Sequence, residues 1–241
     1  MSLTSTNIKK YLKYKDSSFK LFDIKYTDKE KQTINNFKIN NETEFFYTGK
    51  FDKDTLIKNK DKINILKFIE SIGNNNEKDI KVIKNIIYKL LDKVTNGYDD
   101  EYIVLDINTS LPNNEFNMSR WHTDAYPNNS KFVTVLKGPS TLFIDDKDSK
   151  SRKIYFTIQD LLIKEYKQNS NGQYNEKTHN KYRKILAKKL KDCKIVQPKN
   201  NQGTIFLTDA PINNTTIAGI HSEPPFNEKR FFIGIMCGKT I

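Results

Sequence analysis

Apolar residues along the chain follow two different periods. Alternation with a period of two is typical of half-buried strands. It predicts strands at 18–26, 43–48, 101–109, 131–136, 141–144, 153–157, 203–207, 215–221 and 230–236. Spacing of three and four residues predicts helices at 54–72, 80–94, 158–166 and 179–190. The pattern therefore indicates a mainly β protein with flanking helices (α+β).

The order of these elements favours an antiparallel β architecture. Strands in two groups separated by helices are typical of a barrel or sandwich with helical buttressing, whereas a parallel sheet would alternate strands and helices regularly. We predict one domain over 1–241. Its predicted parts are N-terminal strands and buttressing helices at 1–98, a β core at 99–144 and 203–241, and a basic helical insert at 145–200.

Composition indicates an ordered protein of a reducing compartment. Fifteen phenylalanines and 12 tyrosines argue against wholesale disorder. No apolar run is long enough to span a bilayer, and 1–15 lacks the apolar centre of a secretory signal. Cys193 and Cys237 show no disulfide or zinc-binding spacing. We therefore expect a cytoplasmic protein without a membrane partner.

The net charge of +12 comes almost entirely from lysine. Of 41 basic residues only four are arginines, and the lysines are spread along the chain instead of forming one block. A solvated lysine-rich surface therefore explains the charge better than a dedicated nucleic-acid site does, although polyanion binding stays open.

The clearest candidate chemistry lies in the stretch 120–124, Arg-Trp-His-Thr-Asp. Residues two apart on a strand point to the same face, so His122 and Asp124 can bind one metal ion. A third ligand is available at His221, which lies in an apolar, β-leaning run. Two histidines and one carboxylate form the facial triad of non-haem Fe(II) oxygenases. The remaining histidine, His179, lies at a polar helix start and is predicted to be solvated.

This pattern resembles the Fe(II)- and 2-oxoglutarate-dependent oxygenases. The matching features are His122-Thr-Asp124, His221 at 97 residues beyond the aspartate, Arg230 nine residues later and the glycine-led strand at 203–207. They cover about 102–144 and 203–238. The resemblance implies a double-stranded β-helix of the jelly-roll or cupin type, with Fe(II) held by His122, Asp124 and His221. It also implies O₂ and 2-oxoglutarate as co-substrates, with Arg230 binding the distal carboxylate of 2-oxoglutarate.

One family feature is missing. A hydroxyl residue often follows the arginine as a second co-substrate ligand, but Phe231 and Phe232 stand there. Its role is left open between Tyr102, Thr134 and Lys131.

We call the segment 120–126 the motif loop, and its other residues are candidates for the substrate entrance. Arg120, Trp121 and Tyr126 flank the predicted ligands, although Trp121 is equally compatible with a core position. We expect hydroxylation or demethylation of a substrate with release of succinate and CO₂. A basic surface with an insert slightly favours a macromolecular substrate, protein or nucleic acid.

Two alternatives use the same residues differently. A zinc-dependent hydrolase would employ the same three ligands, with Glu223 as a candidate base. A non-catalytic basic β-barrel module would bind nucleic acid or protein through its lysines. The sequence contains neither a P-loop nor a Gly-x-Ser-x-Gly elbow.

Overall fold

The computed structural model describes residues 1–50, 65–99, 102–112, 118–124, 130–169, 173–208, 218–225 and 227–238. The helices within these ranges are α1 Ser5–Tyr14, α2 Asp28–Asn36, α3 Ile65–Ser71, α4 Glu77–Thr95, α5 Ser149–Asn169 and α6 Glu176–Lys189. The strands are β1 Phe19–Asp23, β2 Thr43–Lys50, β3 Tyr102–Ser110, β4 Ser130–Lys137, β5 Leu142–Ile144, β6 Ile195–Val196, β7 Gln202–Leu207, β8 His221–Ser222 and β9 Arg230–Gly238.

The strands form two antiparallel sheets that face each other. The larger has the order β1-β7-β4-β9-β3-β2 and the smaller has the order β6-β5-β8. An apolar cluster lies between them and consists of Val133, Val135, Phe143, Phe206 and Phe232. Phe143 comes from the smaller sheet and the other members come from the larger one. The predicted double-stranded β-helix is therefore confirmed.

The N-terminal helices cover the outer face of the larger sheet. Because side chains alternate along a strand, β9 sends Phe231, Ile233 and Ile235 into the cluster that also contains the apolar stripe of α4. That helix begins at a capping Asn76, whose side chain accepts a hydrogen bond from the backbone N–H of Asp79. All nine residues of β9 are buried, which makes this strand the rigid centre of the fold.

Helices α5 and α6 pack against the smaller sheet. Tyr155, Ile158 and Leu162 of α5 join Trp121 and residues of the sheet in a separate apolar cluster. The strand predicted at 153–157 is therefore wrong. Alternation over only five residues could not be distinguished from the start of the helical stripe that these three side chains form.

Other predictions of elements had mixed outcomes. Helix α2 was not predicted, although Thr27 and Glu30 form a capping box at its start. The predicted helix at 54–72 is described only from Ile65, and 54–64 lies outside the described residues. The strand predicted at 215–221 is described only at its end, as β8. Among the described helices, none is long and apolar enough to cross a membrane.

Gly138 joins the two sheets in a turn that needs glycine. It follows an irregularity in the pairing of β4 with β9, and its φ is +92°. A Cβ at this position would collide with the backbone carbonyl oxygen of Lys229 and lie 2.9 Å from the Cα of Arg230. The turn therefore brings β4 directly against the start of β9.

We expect Gly138→Ala to lower the free energy of unfolding by about 1–3 kcal/mol, because a non-glycine residue is strained in this region of φ and the backbone must also move. Urea denaturation followed by circular dichroism would measure the change. Gly49→Ala is the matched control, since the atoms nearest to its added Cβ belong to the Tyr47 side chain and not to the backbone. Equal effects of the two substitutions would contradict the assignment.

Candidate active site

The two predicted histidine ligands face each other across a backbone bridge. The N–H of His122 donates to the carbonyl oxygen of His221 over 2.8 Å, and the N–H of His221 donates back over 2.9 Å. Their ring centroids are 4.2 Å apart. Residues 99 positions apart in the chain therefore present their imidazoles to the same space.

Asp124 completes a compact set of donor atoms. Its Oδ1 lies 3.5 Å from the Nε2 atoms of both His122 and His221, and one donor atom from each residue lies within 4.8 Å of the others. Two ligands about 2.0–2.2 Å from one ion are ~3–3.5 Å apart at ordinary coordination angles. The donor set thus fits a single transition-metal ion.

Both imidazoles are oriented by the backbone through their other nitrogen. The Nδ1 of His122 lies 2.7 Å from the carbonyl oxygen of Arg120, and the Nδ1 of His221 lies 3.0 Å from that of Gly219. A carbonyl only accepts, so each Nδ1 carries the proton and each Nε2 offers its lone pair. Such outer hydrogen bonds fix tautomer and ring orientation in metal sites.

Electrostatics keep His221 neutral. Its burial, followed by the electrostatic effect of the neighbouring His122 ring, holds the pKa of His221 well below its usual range. A neutral imidazole is the form that binds a metal.

A basic side chain accompanies the carboxylate ligand. Lys131 Nζ lies 3.8 Å from Asp124 Oδ2, the oxygen turned away from the histidines. The same ammonium lies 5.8 Å from the centroid of the Phe232 ring. Lys131 therefore helps to orient Asp124 so that Oδ1 faces the two imidazoles.

The triad opens into a cavity of about 410 Å³ that also contains Arg230. Arg230 is only 2% exposed. Its Nε donates to the carbonyl oxygen of Pro139 over 3.1 Å, and its Nη2 donates to the Thr141 hydroxyl over 3.0 Å. Burial lowers the pKa of Arg230 to about 10, which leaves the guanidinium charged at neutral pH. The cavity thus combines a wall whose donor atoms fit a metal ion with a fixed cation.

The remaining residues predicted as co-substrate ligands are not all near this cavity. Tyr102 lies at the far end of β3, paired with Gly238, whereas Ser110 at the other end pairs with Arg230. Thr134 donates to the backbone of Gln202 and points away from the cavity side of β4. The described wall of the cavity includes neither residue, but it does include Lys131.

The predicted substrate residues have different positions. Arg120 lines the cavity and extends into an adjoining cavity of about 270 Å³ beneath α5 and α6. Trp121 is only 4% exposed, as a member of the α5–α6 apolar cluster, and also lines the adjoining cavity. Tyr126 lies outside the described residues.

Two residues of the cavity wall come from α6 and were not predicted. His179 was predicted to be solvated, but it lines both cavities, and its Nδ1 lies 3.3 Å from the Tyr166 hydroxyl. Burial, with the charge of Arg183, lowers the pKa of His179. Arg183 lies four residues later on the same helix face and also lines both cavities. The rarity of arginine in this chain was the sequence feature that could have identified Arg183.

Comparisons with known proteins find a likeness in fold. A Pseudomonas putida prolyl-4-hydroxylase is 8% identical, with a TM-score of 0.44, over 98% of this chain and 99% of that one. The Arabidopsis thaliana dioxygenase for auxin oxidation, solved with 2-oxoglutarate, is 9% identical, with a TM-score of 0.44, over 100% of this chain and 90% of that one. A viral collagen prolyl hydroxylase from Paramecium Bursaria Chlorella virus-1, also solved with 2-oxoglutarate, is 11% identical, with a TM-score of 0.36, over 93% and 98%.

These likenesses are low in both identity and overall fold, and no subfamily is identified. No family model and no curated protein matches the chain. Function is therefore argued from the residues of the cavity.

We expect Asp124→Asn to weaken binding of Mn(II), a redox-stable probe, by more than the ~10–100-fold typical of outer-shell changes, because it removes a charged ligand. Isothermal titration calorimetry would measure the affinity. Asp106→Asn is the matched control, since Asp106 lines the same cavity outside the triad. Comparable losses in both variants would refute the ligand assignment.

Proposed function

We propose that this protein is an Fe(II)- and 2-oxoglutarate-dependent oxygenase whose metal is held by His122, Asp124 and His221. The observation that supports this most directly is the convergence of two backbone-oriented Nε2 atoms and one carboxylate oxygen on one wall of a cavity. Three ligands on one side leave the other coordination positions accessible to small molecules, as the facial triad requires.

Arg230 is proposed to bind the distal carboxylate of 2-oxoglutarate. Its contacts with Pro139 and Thr141 hold the guanidinium in place before any ligand arrives. A planar guanidinium matches a carboxylate through two parallel hydrogen bonds, which lysine cannot do. Lys131, beside Asp124, is the predicted second ligand that lies in the cavity wall.

Bound Fe(II) and 2-oxoglutarate would supply O₂ activation, so that oxygen is inserted into a substrate C–H bond while succinate and CO₂ are released. The residues of the chain bind the co-substrate, orient the metal ligands and shield them from water. Phe206 packs 4.4 Å from His221, ring centroid to centroid, and Phe232 lies below Arg230 at 4.9 Å. These rings form an apolar floor that excludes water from the inner side of the ligands.

The zinc-hydrolase alternative needs a general base beside a metal-bound water. Glu223 Oε1 instead faces Arg230 Nη1 at 3.8 Å, as the counterion of a buried cation. The guanidinium lines the same cavity as the triad and suits the carboxylate of an oxoacid co-substrate, so we favour the oxygenase.

We expect anaerobic addition of Fe(II) and then 2-oxoglutarate to produce a visible charge-transfer band, because the oxoacid binds the iron directly. His122→Ala should abolish the band by removing a ligand. His179→Ala is the matched control that should keep it, since His179 lines the same cavity without belonging to the triad. Absorption spectroscopy under argon makes the measurement.

The outcomes separate the alternatives. Metal binding with no band would exclude the 2-oxoglutarate enzyme and favour zinc chemistry. No metal binding at all would favour the basic binding module.

We expect Arg230→Lys to raise the Kd for 2-oxoglutarate about tenfold or more with little change in Mn(II) affinity. The substitution keeps the charge but loses the planar fork, and hydrogen bonds to charged groups contribute about 1.5–3 kcal/mol each. Calorimetric titration of the Mn(II)-loaded protein would measure both constants. Lys229→Ala, one residue earlier and exposed, is the control. An unchanged Kd in Arg230→Lys would contradict the co-substrate assignment.

A further inference from the structure

Rare basic side chains are concentrated at the cavity. The chain has four arginines among 41 basic residues and three histidines. Three of the arginines and all three histidines line the described wall of the 410 Å³ cavity, which contains a single lysine, Lys131. Since lysine dominates the rest of the chain, the cavity is distinguished by groups suited to directed hydrogen bonding.

The proposed function uses only one of those arginines. Arg230 binds the co-substrate, whereas Arg120 and Arg183 belong to neither the triad nor the predicted co-substrate ligands. Arg183 makes no hydrogen bond or ion pair with any described residue. A partly buried arginine that has no counterion within the described part of the chain is a ready site for an anion.

The backbone holds Arg120 at the junction of the two cavities. Its N–H donates to the Ser222 hydroxyl over 2.7 Å, and its carbonyl oxygen orients His122. Arg120 and Arg183 both line the main cavity and the adjoining one. Both arginines therefore lie where the cavity of the triad meets the space under α5 and α6.

The adjoining cavity is suited to an apolar group. Its described wall carries Trp121, Tyr155, Leu162 and Leu186, which come from the motif loop and both insert helices. Its volume of about 270 Å³ is below the ~300–1,000 Å³ of a complete ligand pocket. It therefore accommodates part of a small molecule, and His122 on its edge connects that part with the metal site.

We propose that the substrate is a small acid whose carboxylate or phosphate is held between Arg120 and Arg183 while its apolar part occupies the cavity under α5 and α6. That this acid is a substrate rests on the proposed function, whereas the acid-binding site itself does not. The overall charge of +12 would raise the local concentration of such anions.

The test uses the full chain loaded with Mn(II) and 2-oxoglutarate, so that the Arg230 position is already filled. The probes are 3-phenylpropanoate, phenyl phosphate and the uncharged 3-phenylpropanamide, titrated by calorimetry. We expect at least one acid to bind and the amide to bind at least tenfold more weakly. The two acids distinguish a carboxylate site from a phosphate site.

Two variants one residue apart provide the control. Arg183→Gln should weaken acid binding at least tenfold, whereas Lys184→Gln removes the same charge from an exposed position of α6 and should change it less than twofold. Thermal unfolding would verify that both variants are folded. Arg183→Lys should restore only part of the affinity.

Several results would overturn the inference. These are no acid binding, equal binding of acid and amide, equal effects of Arg183→Gln and Lys184→Gln, or tighter Arg183-dependent binding of a single-stranded oligonucleotide than of phenyl phosphate. An intact Fe(II)–2-oxoglutarate band without acid binding would refute the inference alone. Arg183-dependent acid binding without that band would support the acid site and refute the proposed function.

Discussion

The site depends on one pair of hydrogen bonds, those exchanged by the backbones of His122 and His221. They join the motif loop to β8 of the smaller sheet, and so they bring together ligands that are distant in sequence. The imidazole tautomers depend on the same local geometry, because each Nδ1 bonds to the carbonyl two residues earlier. Stability of the whole sandwich is therefore a condition for the proposed metal binding, as for other sites assembled from distant parts of a chain.

Arg230 shows how that sandwich also supports a buried charge. Removing a guanidinium from water is unfavourable unless its donors are satisfied. Pro139 and Thr141 accept hydrogen bonds from Nε and Nη2 of Arg230. The centroid of the Phe232 ring lies 4.9 Å from the guanidinium carbon. Gly138 makes this possible, since only glycine lets the turn approach β9 so closely. The α4 stripe, packed on the other face of β9, holds that strand in place.

Sequence patterns identified the three side chains that converge in the structure better than they identified the cavity walls around them. With three histidines in the chain, few triads could be formed. The expectation that His122 and Asp124 lie on a strand was wrong, because the described stretch 118–124 contains only the isolated bridge at His122. The side of β4 that faces the cavity was not predictable, so Lys131 and Thr134 could not be separated. His179 and Arg183 were missed because their role depends on how α6 packs. Tyr155 was assigned to a strand because five alternating residues carry too little information about period.

The metal ligands and the walls of the adjoining cavity lie on separate stretches of chain. The proposed ligands and Arg230 belong to the two sheets and the loops joined to them, whereas Arg183, Tyr155 and Leu186 belong to helices that lie between β5 and β6 in the chain. Substitutions in those helices can reshape the adjoining cavity without moving a ligand. Exchange of α5 and α6, by evolution or by design, could therefore change which molecules are accepted. The proposed metal site would stay intact.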